Sequence, residues 1–141
     1  MTERFLNRRG GPWCVAFAVF FVVAGTLHFV FPGSYTRIVP PELPAPSLIV
    51  AISGVAEIAG GVGLLVPATR RAAAWGLVAL LICVFPANIY MAAAHLPFPG
   101  ILGKSWVQWL RLPLQFPLIA WAWYCTRPDR GSGPAARNSG E

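Results

Sequence analysis

The chain has 141 residues, 56% of them hydrophobic and only 11% charged. Soluble domains carry about 25% charged residues, so the composition argues for a membrane protein. The net charge of +6 does not point to nucleic acid, because the arginines cluster at the ends of apolar runs and no basic helix or aromatic–basic stripe is present.

A membrane-spanning helix needs roughly 20 apolar residues, and four runs meet that length. The first covers residues 12–31, "PWCVAFAVFFVVAGTLHFVF", and is closed by Pro32 and Gly33. Arg4, Arg8 and Arg9 precede it as they would a secretory signal. The run is longer than the usual apolar stretch of about 7–15 residues and no small-x-small site follows, so an uncleaved helix is expected. The connection "FPGSYTRIVPPELPAPS" mixes Tyr35, Ile38, Val39 and Leu43 with Arg37 and Glu42. It reads either as a lid on the membrane surface or as a rigid connector. The second run covers residues 47–66 and is closed by Pro67; "GGVG" lies inside it, so its glycines serve packing rather than phosphate binding. The third covers residues 72–95, and "HLPFPGILGKSW" leads into the fourth at 106–126. Residues 127–141, Gly-, Pro- and Ser-rich, are expected to be a disordered tail. Trp13, Trp75, Trp106, Trp123 and Tyr124 stand near run ends, as an interfacial aromatic belt requires. A soluble four-helix bundle would show polar faces, and these runs show almost none.

Orientation follows from the arginines. Arg4, Arg8 and Arg9, then Arg70 and Arg71, then Arg127, Arg130 and Arg137 fall on one side of four crossings; the other side has only Arg37 and Lys104. The positive-inside rule places the first side in the cytoplasm. The expected fold is therefore all-α: one domain, residues 1–126, forming an up-down-up-down bundle of four transmembrane helices. Both termini are expected to be cytoplasmic, in a multi-pass protein of the cell membrane.

Five strongly polar residues interrupt the spans: His28, Glu57, Asn88, Arg111 and Gln115. Counted along each helix, all five fall in the outer half of the bilayer. Ser53, Gly54, Ala56, Gly60 and Gly61 surround Glu57 on its helix, and small residues let helices approach closely in lipid. Glu57 is thus expected to face the bundle. Arg111 and Gln115 share one face, four residues apart, with either a direct Glu57–Arg111 pair or Gln115 as a bridge. Pro86, Pro113 and Pro117 each free a backbone carbonyl nearby. Intramembrane ionisable residues mark functional sites by default, so the five are the candidate ligand-binding set. Phe29, Leu64, Phe85 and Leu112 are candidate apolar walls. The competing reading is a polar clamp between helices.

Other chemistry is sparse. Cys14 and Cys125 lie at the cytoplasmic ends of their helices and approach each other if those helices are neighbours. That compartment is reducing, and no CxxC exists, so Cys14, Cys83 and Cys125 are read as small apolar filler. With only His28 and His95, no metal site is expected. No nucleophile–base–acid set is visible, and the residues leave open whether the protein is an enzyme.

Taken together, "GTLHFVFPGSYTRIVPPELP", "SGVAEIAGGVGLLVPATRRAAAWGL", "VFPANIYMA" and "RLPLQFPLIAWAWY" resemble the small DoxX-type integral membrane proteins of the DoxX/MauE-like group. His28, Pro32, Tyr35, Pro40, Pro41, Glu57, Gly60, Gly61, Asn88, Tyr90, Arg111, Pro113 and Gln115 stand where those motifs recur. The resemblance implies a four-helix membrane bundle. It also implies a redox association, since some relatives are subunits of quinone-reducing thiosulfate oxidoreductases or partners of thiol-handling systems. The lack of a CxxC departs from a thioredoxin-like mechanism. The expected function is an accessory or subunit of a membrane redox system, with quinone or another small lipophilic ligand in the polar layer. The expected partners are the lipid bilayer and a membrane redox protein, with no nucleic acid; self-association stays open. Two alternatives stand beside it: a non-enzymatic protein that binds or moves a small solute, and a structural partner of another membrane protein.

Overall fold

The computed structural model describes residues 11–126. The tail at 127–141 and the arginines at 4, 8, 9, 127, 130 and 137 lie outside the described residues. Among the described residues the chain is all-helical, without strands. Helix α1 spans Gly11–Val30, α2 Pro32–Arg37, α3 Pro46–Leu65, α4 Arg70–Ala93 and α5 Ser105–Cys125, with a 3₁₀ turn at Gly100–Gly103. The four long helices fall within two residues of the expected runs.

Three of them, α1, α3 and α4, are long and apolar enough to cross a membrane. Helix α5, with 21 residues, rises about 31 Å at 1.5 Å per residue. It has the length but not the apolarity, because Gln108, Arg111 and Gln115 lie on it. Large apolar side chains cover the outward faces: Val19, Val23, Ile52, Val55, Val62 and Ile82 are all exposed. A surface of this kind is stable against lipid and not against water.

Local chemistry sets the boundaries. Proline opens α2 and α3 at the first turn, where its missing N–H costs nothing. The expected lid segment is thus partly helical, and Tyr35, Ile38 and Val39 are buried. Helix α4 ends because His95 adopts a left-handed φ of 49°. The Leu96 N–H then reaches back to the Met91 carbonyl at 3.1 Å and the His95 N–H to the Ala92 carbonyl at 3.4 Å. That is a Schellman closure with histidine where glycine is usual. At the α3–α4 turn, Thr69 Oγ1 donates to the Gly63 carbonyl at 3.0 Å and Arg70 Nε to the Leu64 carbonyl at 3.1 Å. The first adds to the Val66 N–H already on the Gly63 carbonyl, and the second serves a carbonyl in the last turn of α3, where intrahelical donors run out.

Helix α3 is central, packed between α1 and α4, and α5 packs on α4. Glycine makes the α1–α3 crossing close. A Cβ on Gly25 would stand 2.6 Å from the Gly54 carbonyl oxygen, and one on Gly61 would stand 2.7 Å from the Ala18 carbonyl oxygen. Gly60 faces the other neighbour, against Leu77. Helices α1 and α5 meet at one end, where Trp121 packs on Trp13 and Phe17.

Two apolar cores result. At the Cys14 end, Phe17, Phe21, Leu64, Leu77, Leu81 and Ala122 form a dry cluster. At the opposite end, Tyr35, Ile38, Val39, Val50 and Met91 form a second, smaller one.

The reading of the cysteines as filler is corrected in part. Cys14 and Cys125 are disulfide-bonded, with Cα atoms 6.2 Å apart, because the chain brings the first and last long helices together at that end. Cys83 is free and exposed.

Candidate functional site

The buried polar residues sit between the two apolar cores. Glu57 shares a face of α3 with Gly54 and Gly61, three residues before and four after, and all three are buried. The glycines that bring α1 against α3 therefore also turn the carboxyl inward, as expected. His28 meets it from α1, with Nδ1 3.3 Å from Glu57 Oε2. The same nitrogen lies 3.0 Å from the Ala24 carbonyl. One Nδ1 proton serves the nearer acceptor, and Glu57 Oε2 is left buried without a hydrogen bond. The contact becomes a true ion pair only when His28 carries both ring protons.

Helix α2 closes this pair from above. The Tyr35 ring stacks on His28 with centroids 3.9 Å apart, and Phe98 meets Tyr35 edge-on at 5.0 Å. Burial pushes the Tyr35 phenol above its ordinary pKa; Arg111 opposes that shift and Glu57 adds to it.

The α4–α5 side is satisfied internally. Asn88 Nδ2 donates to Gln115 Oε1 at 2.9 Å. Gln115 Nε2 donates to the Leu81 carbonyl, in the turn before Pro86. Helix α4 runs through Pro86, and α5 through Pro113 and Pro117. Arg111 Nη1 reaches Met91 Sδ at 3.7 Å. It makes no contact ion pair with Glu57, although it lies near enough to His28, Tyr35 and Glu57 to act on each electrostatically. Gln115 bridges Asn88 to the α4 backbone rather than Glu57 to Arg111.

The five expected site residues thus form two groups, His28 with Glu57 and Asn88 with Gln115, and Arg111 is coupled to the first by charge. Of the expected apolar walls, Leu64 belongs to the dry core at the other end and Phe29 is half exposed. One buried polar residue escaped the sequence reading. Gln108 is 2% exposed and donates from Nε2 to the Leu96 carbonyl at 2.7 Å, while its Oε1 has no partner. Its spacing was the available signal: Gln108, Arg111 and Gln115 follow at three and four residues, on one helix face. No cluster of three or more metal-ligating side chains occurs among the described residues. A separate groove of about 370 Å³, lined by Trp13, Trp121 and Tyr124, lies at the disulfide end.

No curated protein and no solved structure matches the chain. A family model described as "Domain of unknown function (DUF8561)" matches residues 17–126, a span that contains His28, Glu57, Asn88, Arg111, Gln115 and both apolar cores except Cys14. The chain belongs to the DUF8561 family.

Proposed function

We propose that this is a four-span, up-down-up-down protein of the cell membrane, with both termini cytoplasmic, that holds a small lipophilic ligand at the His28–Glu57 pair. The arginine asymmetry supports the orientation, and the length of α5 supports the fourth crossing. The observation that carries the ligand reading is the buried Glu57 Oε2, which lacks a hydrogen-bond donor. A buried acceptor left unpaired costs about 1–3 kcal/mol, so the site is complete only when something donates to it. The ligand class that fits has an apolar body and a hydroxyl head, of which a quinol is an example. Arg111 supplies positive charge nearby, Tyr35 and Phe98 cover the aqueous side, and the lipid-facing helices leave the ligand a route through the bilayer. This reading accords with the DoxX-type resemblance, and with a role as accessory or subunit of a membrane redox system.

For the other half of the layer, the Asn88–Gln115 hydrogen bond favours the clamp. Those two side chains consume each other's polar groups and tie α5 to α4.

The test is mass spectrometry of small lipophilic molecules carried through a gentle detergent purification. Wild type is expected to retain one that Glu57→Ala loses while the bundle stays monodisperse. If wild type carries nothing and Glu57→Ala aggregates, His28 and Glu57 are structural and the ligand reading falls.

A further inference from the structure

We propose that Cys14 and Cys125 are a reversible thiol–disulfide site that latches the seam between α1 and α5. Three independent features place it there. The two helices have little else in common, since α1 packs along α3 and α5 along α4. The bridge joins positions 111 residues apart, so it closes nearly the whole folded chain into a ring. Both cysteines are buried, at 2% and 4% exposure, and the groove beside them is built from their own helical neighbours. Trp13 adjoins Cys14, Tyr124 adjoins Cys125, and Trp121 lies one turn before Cys125. This groove of about 370 Å³ is lined by Trp13, Trp121 and Tyr124 and stops short of the cysteines, so a small disulfide reaches the pair only when the α1–α5 seam parts there.

Reversibility rests on the orientation proposed above. Arg70 and Arg71 lie at the same end of the bundle as the bridge, and the arginine rule assigns that end to the reducing cytoplasm. There the resting state is the dithiol, and the bond forms on oxidation by a low-molecular-weight disulfide. One cysteine thiolate attacks a sulfur of that disulfide, forms a mixed disulfide and expels the first thiolate. The second cysteine thiolate attacks the protein sulfur of the mixed disulfide, closes Cys14–Cys125 and expels the second. The protein loses two electrons and two protons; the small disulfide gains them as two thiols.

Cys83, free and exposed, is an internal standard. Cells expressing the full chain are quenched in acid, and the protein is denatured and labelled with a polymer-tagged maleimide, with and without prior exposure to diamide. The purified protein in mild detergent is titrated in parallel with reduced and oxidised glutathione. The expected result is three adducts from untreated cells and one after oxidation, returning to three with reductant. In Cys14→Ser the count is two in untreated cells and can fall to one on oxidation only with the mass of a glutathione held on Cys125, whereas the wild type falls from three to one with no added mass. Three adducts at every glutathione ratio would overturn the latch, and so would one adduct in untreated cells. Reporter fusions at Gly100 and at residue 141 separate the causes of the second outcome. A permanent bridge with cytoplasmic termini removes the latch alone, whereas extracytoplasmic termini remove the proposed orientation with it.

Discussion

The two ends of the bundle solve different problems. At the Cys14 end the interior is apolar apart from Thr126, whose hydroxyl donates to the Trp123 carbonyl, with Phe17 against Phe21 and Trp121 at centroid distances of 4.8 and 4.6 Å. At the other end, between Tyr35 and the dry core, the Glu57 carboxyl, the His28 imidazole and the Gln115 amide are buried, and the Arg111 guanidinium and Asn88 amide are half-buried. Lipid gives no hydrophobic reward for packing apolar helices together, so the dry end depends on fit and on glycine contacts, with the Cys14–Cys125 bridge added when it is closed. The polar end carries ionisable groups, and a charge at the centre of a membrane span costs about 2.5–3.5 kcal/mol. Such a layer is an expensive way to join helices that glycine and leucine already join. On the proposal above, stability falls to one end and a binding task to the other.

Substitutions at the two ends should therefore differ in kind. The largest loss is expected from Gly61→Leu, whose side chain would run into the Ala18 carbonyl and Val22. Overpacking of a tight core costs about 1–3 kcal/mol or more, and backbone contacts leave no flexible neighbour to yield. The variant should fail to give monodisperse protein by size-exclusion chromatography. Next comes Leu77→Ala in the dry core, where Leu77 is 1% exposed. Cavity formation there should cost about 2–5 kcal/mol, read as a lowered unfolding midpoint with ligand retention preserved at temperatures where the bundle stays folded.

Smaller effects probe the polar end. Gln115→Ala removes the partner of both Asn88 Nδ2 and the Leu81 carbonyl. Interhelical hydrogen bonds in membranes average about 0.6 kcal/mol and reach about 1.7 kcal/mol. A loss in that range, by the same unfolding measurement, supports the clamp, and no change would contradict it. The smallest effect is expected for the coupling of Glu57 and Arg111, which interact by charge without contact. In a double-mutant cycle Glu57→Gln should destabilise less on an Arg111→Gln background than alone, by under about 1 kcal/mol. Strict additivity would separate their roles.

The long helices were legible because lipid imposes one rule, a run of about 20 apolar residues, and proline closes the first two runs, at Pro32 and Pro67. The inward face of Glu57 was legible from the glycines three, four and minus three residues away. The division of the polar layer was not. Depth along a helix placed Gln115 near Glu57, but side-chain partners depend on which helices are neighbours, and α5 packs on α4 rather than on α3. Gln108 stands in the first turn of α5 and is buried because the chain around Leu96 folds back over it, a contact that helix periodicity does not carry. The Cys14–Cys125 bridge was half legible: helix ends put the cysteines at one level, and the inferred compartment argued against bonding them. Helix α2 was hidden in a proline-rich segment that reads as irregular, yet proline at a first helical turn is a start signal.

The central claim is that Glu57 Oε2 waits for a donor. Native mass spectrometry of the intact protein in mild detergent, with a short-chain quinol added, tests it most directly. Wild type should hold one quinol per chain, Glu57→Ala should hold none, and Gln115→Ala should hold one while remaining folded. Equal retention by wild type and Glu57→Ala, or loss in Gln115→Ala alone, would contradict the account.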